Sequence, residues 1–427
     1  MKPVKNGKLR NIMLFLSVLG PGLITANADN DAGGIATYAQ VGAAYGYKLL
    51  WSLILITISL GIVQEMCSRM GAVTGKGLSD LIREQFGVKL TLFAMVTLLI
   101  ANITNIIADF AGIAASADLL LPGNIMGIPA KFIVVPLVAF FLWMLIIKGN
   151  YKQVEKAFLL LTLVFISYVI SGVALKPDWG LILKSTFVPT FDFKDSKFIL
   201  LFIGTIGTTI TPWMQFFLQS SVVDKGINIK NYKYEKAEVL FGAFITDFIS
   251  FFIIVSTAAV IYYRVGPREI QTAGDAAIAL KPLAGNYASL LFAVGLFGAS
   301  VLAASVLPLS TSYAICEAFG WESGIDKKWN EAPVFFGLYT ALIAAGAGIV
   351  LLPKINLIKI MLISQEVNGI LLPVILVYML KLINNKELMG EYVNSKGYNI
   401  VAWTTVIFVI ALTLLLLFVS IRQLLKW

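Results

Sequence analysis

The sequence predicts an all-α integral membrane protein that crosses the bilayer eleven times. Hydrophobic residues make up 58% of the 427 positions and charged residues only 13%, which leaves too few polar side chains to cover a soluble core. The apolar residues form solid runs long enough for a helix to cross a hydrocarbon core, whereas β-barrel strands alternate. Two of these runs are interrupted by helix-breaking residues.

Eleven apolar segments carry this prediction. The basic start is followed by an apolar run that is too long for a signal peptide and has no small-residue cleavage site, so we expect it to be retained as the first span. The predicted spans lie near residues 12–44, 49–67, 90–120, 131–147, 157–175, 198–222, 237–263, 287–318, 332–352, 356–380 and 398–421.

Basic residues orient the spans, because cytoplasmic loops collect Lys and Arg. With a cytoplasmic N-terminus, 20 of the 33 Lys and Arg lie inside and 13 outside. An odd number of spans then places the C-terminus outside. The net charge of +9 is accounted for by this asymmetry and by attraction to anionic lipid, so it calls for no nucleic-acid partner.

The first span is interrupted by the segment NADNDAGGIA, residues 27–36. Carboxylates in the middle of a span are costly and functional by default when they face the interior. Gly33 and Gly34 follow directly, and glycine weakens the helix and lets backbone carbonyls turn out of it. The segment predicts a helix that is broken at the middle of the bilayer.

The sixth span has a matching interruption, GTIGTTITPWMQF at residues 204–216. Pro212 lacks a backbone donor and disfavours helical geometry at the residue before it. A proline kink alone is common, but transporters often carry a pair of broken helices, one in each repeat. We therefore expect two inverted five-helix repeats, 12–175 and 198–380, with 398–421 as an additional helix.

The residue types at the breaks favour a hard cation such as Mg²⁺, because they offer carboxylate, hydroxyl, amide and carbonyl oxygens and no thiolate or thioether. The chain contains no His, which excludes imidazole ligands and His-dependent catalytic triads. Further polar residues lie within the predicted spans, and each has solvation near a helix end as an alternative interpretation: Asn102, Asn105, Asp109, Asp247, Gln365, Glu366 and Asn368.

Five segments together resemble the natural-resistance-associated macrophage protein (NRAMP) family of divalent-metal transporters, which has the LeuT-type fold. The similarity in order and spacing covers nearly the whole chain. The segments are GPGLITANADNDAGGIATYAQVGA, QEMCSRMGAVTGKGLSDLIREQFG, IADFAG, GTTITPW and LISQEVNGILLP.

The chain departs from the family pattern at three places. The family's Asp-Pro-Gly-Asn aligns with residues 31–34, so Asp31 persists and Gly34 replaces the Asn ligand. The family's Met-Pro-His aligns with residues 211–213, so a threonine hydroxyl replaces the soft thioether ligand. In the third span Asp109 is kept, but Gly112 replaces a Glu that takes part in proton movement.

These departures resemble the bacterial NRAMP-related magnesium transporter branch. The resemblance implies a multi-pass carrier in the bacterial inner membrane that takes up Mg²⁺, accepts Mn²⁺ and is not coupled to protons. It implies no enzymatic activity and no cofactor, the metal ion being the transported substrate. The expected partners are the ion and the lipid bilayer, and the expected state is a monomer.

The same resemblance assigns a role to individual residues. Asp31 is expected as the anionic ligand and Gly34 as the residue that makes space. Further metal ligands are expected from the Ala28 and Thr208 carbonyls, the Thr211 hydroxyl and the side chain of Gln365. Pathway residues are Asp29, Asn30, Asp109, Trp213 and Glu366. For Trp213 plain packing, and for Asp29 plain solvation, is an equal alternative.

Other functions remain open at this point. One is a conventional proton-coupled Mn²⁺/Fe²⁺ carrier, and another is an amino-acid carrier on the same fold, whose substrate carboxylate Asp31 would repel. A metal sensor needs a sizeable soluble output domain, whereas the longest non-apolar segments have about 20 residues. An enzyme is disfavoured, since no motif supplies a nucleophile and base.

Overall fold

The computed structural model describes residues 25, 28–121, 124–125, 127–148, 166–277, 288–353 and 355–424. Within them the chain is almost entirely helical. The helices are α1 Ala32–Tyr45, α2 Leu50–Thr74, α3 Leu78–Leu120, α4 Lys131–Lys148, α5 Ile166–Ala174, α6 Trp179–Phe187, α7 Ser196–Thr209, α8 Pro212–Asp224, α9 Tyr232–Thr257, α10 Ala273–Ala277, α11 Ala288–Phe319, α12 Pro333–Val350, α13 Leu357–Ile383, α14 Lys386–Met389 and α15 Lys396–Leu424.

Short elements complete this part of the chain. A π-helical turn, Ala258–Tyr262, extends α9, and a 3₁₀ turn, Gly390–Tyr392, follows α14. Strands β1, Asn124–Ile125, and β2, Ile128–Pro129, form a small antiparallel hairpin after α3.

The membrane-spanning prediction is confirmed. In the described ranges, nine helical stretches are long and apolar enough to cross a bilayer, and they coincide with predicted spans 2 to 4 and 6 to 11. Helices α1 and α5 match the later parts of spans 1 and 5, whose earlier parts, 12–24 and 157–165, lie outside the described residues.

The structure adds two helical segments to the predicted spans. Helix α3 extends back to Leu78, because a shorter helix joins the predicted span at Gly87, whose φ of 76° is accessible to glycine without strain. Helix α6 was not expected. It begins after Asp178, whose side chain caps it by accepting a hydrogen bond from the backbone of Leu181 at 3.0 Å.

Helix α1 lies at the centre of the bundle and is buried from Ala32 to Ala43. It packs against α3, α7, α9 and α13. Helix α8 is likewise buried from Pro212 to Val222. The two segments that adjoin the predicted breaks are therefore the ones most completely enclosed by protein, which is where non-helical backbone is tolerated in a membrane.

Glycines allow the closest helix approaches around this centre. A Cβ at Gly207 of α7 would collide with the backbone of Gln365 and Gly369 in α13. A Cβ at Gly369 would in turn lie 2.5 Å from the carbonyl oxygen of Ile203. Small residues at such contacts let membrane helices pack backbone to backbone.

We therefore expect Gly207→Ala to lower the melting temperature of the detergent-purified protein, because the new methyl group overpacks the contact between α7 and α13, at a cost of about 1–3 kcal/mol. Gly337→Ala in α12 is the matched control. A Cβ there meets nothing within 4 Å, and alanine favours a helix over glycine. Equal melting temperatures for the two variants would contradict this packing argument.

Candidate metal-binding site at the two helix breaks

The first break is organised by Asp31. Residues Asp29 and Asn30 leave the helical conformation, and Asp31 caps the restarting helix α1 with extended backbone geometry. Its Oδ1 accepts a hydrogen bond from the backbone N–H of Gly34 at 2.5 Å. Aspartate is a preferred N-cap because its carboxylate satisfies backbone donors of the first turn, so the same sequence that breaks the helix also restarts it.

The second break separates α7 from α8. Helix α7 ends at Thr209, Thr211 has extended geometry (φ −72°, ψ 143°), and Pro212 is the first residue of α8. Proline is favoured there because its missing N–H has no helical partner to lose. Thr211 donates its hydroxyl hydrogen to Oδ1 of Asp29 at 3.3 Å, so the two breaks are in direct contact.

The space beside Gly34 is lined by oxygen atoms from both breaks. A Cβ built on Gly34 would lie 2.8 Å from Thr208 Oγ1, 3.1 Å from the Asp29 carbonyl oxygen and 3.2 Å from Asp31 Oδ1. Thr208 is fully buried, and its hydroxyl has no hydrogen-bond partner within the described residues. Since an unpaired buried hydroxyl is costly, these oxygens are suited to bind an ion or its water.

Helix α13 closes one side of this space through Gln365. Its Nε2 donates to both oxygens of Asp31, at 3.2 and 3.1 Å. Its Oε1 accepts from Asn368 at 2.8 Å, and Asn368 exchanges two hydrogen bonds with Asn105 of α3 at 2.9 and 3.0 Å. A chain of buried amides thus connects Asp31 with α3.

Asp109 of α3 meets the start of α1. Its Oδ1 accepts from the backbone N–H of Ala32 at 3.4 Å, and its Oδ2 is unpartnered among the described groups. One turn further on, a Cβ at Gly112 would collide with Ser300 and lie 2.5 Å from the Cβ of Ala32. This conformation therefore has no room for a glutamate at position 112.

The structure also shows which candidate residues approach the Gly34 space. The backbone oxygen there belongs to Asp29, whereas the sequence analysis chose Ala28, which is buried beside the break. Thr208 approaches with its hydroxyl, whereas its carbonyl was expected. The hydrogen bond of Thr211 goes to Asp29.

Of the other expected pathway residues, Asn30 and Glu366 face neighbouring helices. Asn30 faces α9, where Ser250 donates to its Oδ1 at 3.2 Å. Trp213 of α8 is fully buried, its ring lies 6.1 Å from that of Phe217 in the same helix, and its Nε1 has no hydrogen-bond partner among the described residues. Glu366 is partly buried and faces Gly204 of α7.

The amide chain was not assigned from the sequence, although Asn368 lies one helical turn from Gln365 and Asn105 one turn from Asp109. That spacing was the available signal. Within the described residues no group of three or more His, Cys, Asp or Glu side chains is placed to hold a metal. The oxygen set around Gly34 is therefore mostly neutral, with Asp31 as its carboxylate.

Curated proteins similar to this chain are divalent metal cation transporters named MntH. The protein of Pectobacterium carotovorum is 26% identical over 411 residues, covering 94% of each chain. That of Bacillus subtilis is 25% identical over 426 residues, covering 98% of this chain and 95% of its own. These relatives are transporters rather than enzymes, in agreement with the sequence prediction.

Solved structures share the fold. A manganese transporter from Eremococcus coleocola superposes with a TM-score of 0.75 at 20% identity, over 97% of this chain and 88% of its own. Mhp1, a nucleobase-cation-symport-1 family transporter, gives a TM-score of 0.58 at 13% identity, over 94% and 92% of the two chains. The predicted LeuT-type fold is thereby confirmed.

The family profile described as natural resistance-associated macrophage protein-like matches residues 22–419, nearly the whole chain. This match and the relatives agree with the fold and with the motifs at both breaks, so the chain belongs to the natural resistance-associated macrophage protein-like family.

Proposed function

We propose that the chain is a secondary transporter that takes up divalent cations, Mg²⁺ with Mn²⁺ also accepted, by alternating access and without proton coupling. The observation that carries this proposal is the oxygen-lined space beside Gly34, which lies between the two helix breaks. The names of the relatives, which include divalent metal and manganese transporters, support a divalent metal as substrate.

The ligand set explains the choice of ion. Asp31 supplies the anionic oxygen, Thr208 a hydroxyl and Asp29 a backbone carbonyl, while Thr211 offers a further hydroxyl nearby. In the proposed bound state the side chain of Gln365 turns, so that its Oε1, which here accepts from Asn368, faces the ion. Oxygen ligands suit Mg²⁺, and a site without sulfur loses the preference for softer ions. Because Mg²⁺ gives up its water reluctantly, the missing side chain of Gly34 leaves room for coordinated water.

The Ala28 carbonyl is also proposed as a ligand of the ion. It precedes the break, and it reaches the ion if the backbone before Asp29 turns toward it. The C-terminal end of α7 also favours a cation at the site, because the carbonyl end of a helix carries partial negative charge.

Helices α3 and α12 offer few groups for a proton relay. Between residues 90 and 117 of α3, Asp109 is the only Asp, Glu, Lys or Arg, and α12, which packs on α3, contains none. A divalent ion entering a cell at −100 mV gains roughly 4.6 kcal/mol, more than a thousandfold concentration ratio. The membrane potential alone therefore suffices to drive uptake.

Transport requires the hydrogen bonds around the two breaks to rearrange. In the proposed cycle a bundle that contains both breaks moves against the other helices around the site, and each of the repeats 12–175 and 198–380 contributes helices to both groups, with 398–421 outside the repeats. Helices α1, α7 and α8 move against α3, α4, α11 and α12, so the hydrogen bonds from Gln365 to Asp31 and from Ala32 to Asp109 open and close. We propose that the transporter is a monomer in the bacterial inner membrane, with a cytoplasmic N-terminus and an external C-terminus.

A conventional proton-coupled Mn²⁺/Fe²⁺ carrier is the second candidate. The manganese transporter among the solved relatives favours it, and Asp109 is then the carboxylate that exchanges protons. The two candidates differ in what accompanies the ion.

Uptake into proteoliposomes containing a Mg²⁺-sensitive dye and a pH dye separates them. We expect Mg²⁺ entry that Mn²⁺ competes with and that leaves the internal pH unchanged, because the site needs no second substrate. Asp31→Ala is expected to abolish this entry. Failure of Mg²⁺ to enter, with Mn²⁺ entering and acidifying the lumen, would establish the proton-coupled alternative.

Thr211→Met is expected to shift the selectivity of uptake from Mg²⁺ toward Mn²⁺ and Cd²⁺, because a thioether is a softer ligand than a hydroxyl. Thr211→Leu is the matched control, since it has a similar size and no sulfur. The measurement is the ratio of Mn²⁺ to Mg²⁺ uptake in each variant. The same ratio in the Met and Leu variants means that position 211 does not contact the ion.

Gly34→Ala is expected to reduce Mg²⁺ uptake at least tenfold without lowering the melting temperature by more than a few degrees. The methyl group would occupy the position that lies 2.8 Å from Thr208 Oγ1, and so displace the ion or its water. Gly337→Ala, where the methyl group meets nothing within 4 Å, serves as the control. Full uptake by Gly34→Ala would place the ion elsewhere.

A further inference from the structure

A pair of buried carboxylates, Asp29 and Asp247, lies beside the break in the first span. Asp247 of α9 is 4% exposed and Asp29 is 2% exposed, and the two residues lie in segments that are in direct contact. Contacts with the neighbouring Asn30 hold α9 against the break, since Ser250 donates to its Oδ1 at 3.2 Å and its Nδ2 donates to the Thr246 carbonyl at 3.5 Å.

These carboxylates lack the partners that buried charges need. Both oxygens of Asp247 and Oδ2 of Asp29 have no hydrogen-bond partner within the described part of the chain. None of the ion pairs described for this chain includes either residue. A buried carboxylate without a counter-charge is strongly destabilising, so the arrangement calls for a cation.

The surroundings are suited to a hard cation, because hydroxyl groups lie near the pair. Thr211 donates to Asp29, and Tyr38 of α1 is within electrostatic range of both carboxylates. The Thr57 hydroxyl of α2 lies near Asp247 and donates to the Leu53 carbonyl of its own helix at 2.6 Å.

Asp29 links this pair to the space beside Gly34. Its backbone carbonyl oxygen faces Gly34, whereas its carboxylate faces Thr211 and Asp247. One residue thus contributes an oxygen on each side of the break.

We propose that Asp29 and Asp247 form a second divalent-cation site, in which the transported ion is held next to the site at Gly34. This site rests on the proposed function, since its occupant is the same substrate. Two carboxylates neutralise one divalent ion, which is the reason for choosing it over a monovalent one.

The test counts Mn²⁺ ions bound to the full-length protein in detergent, by equilibrium dialysis with free Mn²⁺ measured by electron paramagnetic resonance. We expect two ions per chain at saturation for the unmodified protein. Asp247→Asn and Asp29→Asn are each expected to bind one, because both remove a carboxylate of the second site and keep the backbone carbonyl of Asp29.

Glu322→Gln is the matched control, since Glu322 is exposed and paired only with Lys327 at the surface among the described contacts. It should bind two ions. The melting temperature without metal shows whether each variant folds, and we expect Asp247→Asn to be at least as stable as the unmodified protein, because it removes an uncompensated buried charge.

The second site would be overturned if the unmodified protein bound one ion per chain, since protons would then neutralise the two carboxylates. It would also be overturned if Asp247→Asn still bound two ions. Asp31→Asn tests the proposed function separately. It should lose the other ion and all uptake. Uptake that persists in Asp31→Asn contradicts the site at Gly34, whatever count Asp247→Asn gives.

Discussion

The capping of α1 by Asp31 is the interaction on which the rest of the site depends. The bond from the Gly34 N–H to Oδ1 satisfies a backbone donor of the restarted helix inside the bundle. Both carboxylate oxygens also accept from Gln365, which ties α1 to α13. The carboxylate thus fixes the break, joins two helices and presents negative charge to the space beside Gly34.

Small residues give this carboxylate its surroundings. Gly33 lies directly against the Gln365 side chain, and Gly112 allows α3 to approach Ala32 closely. Gly34 leaves the space into which the oxygens of both breaks point. Larger residues at these positions would fill the site or separate the helices.

The fold could be predicted largely from hydrophobicity, because a bilayer requires apolar runs of fixed length and satisfied backbone groups. Two helical segments outside the apolar runs were not predicted. One precedes Gly87, where the chain turns through a conformation open to glycine before α3 continues, and the other is α6, a short helix started by the Asp178 cap. Local backbone chemistry decided both, and apolar length carries no signal of it.

The sequence by itself determined the positions of both breaks and the oxygen chemistry available there, since Gly, Pro and Asp act on the backbone within a few residues. Only the tertiary structure decided which oxygens meet. Thr208 approaches with its hydroxyl, Asp29 with its carbonyl, and Thr211 bonds to the Asp29 carboxylate. These contacts join residues far apart in the chain, and they depend on how each helix is rotated by its packing against the others.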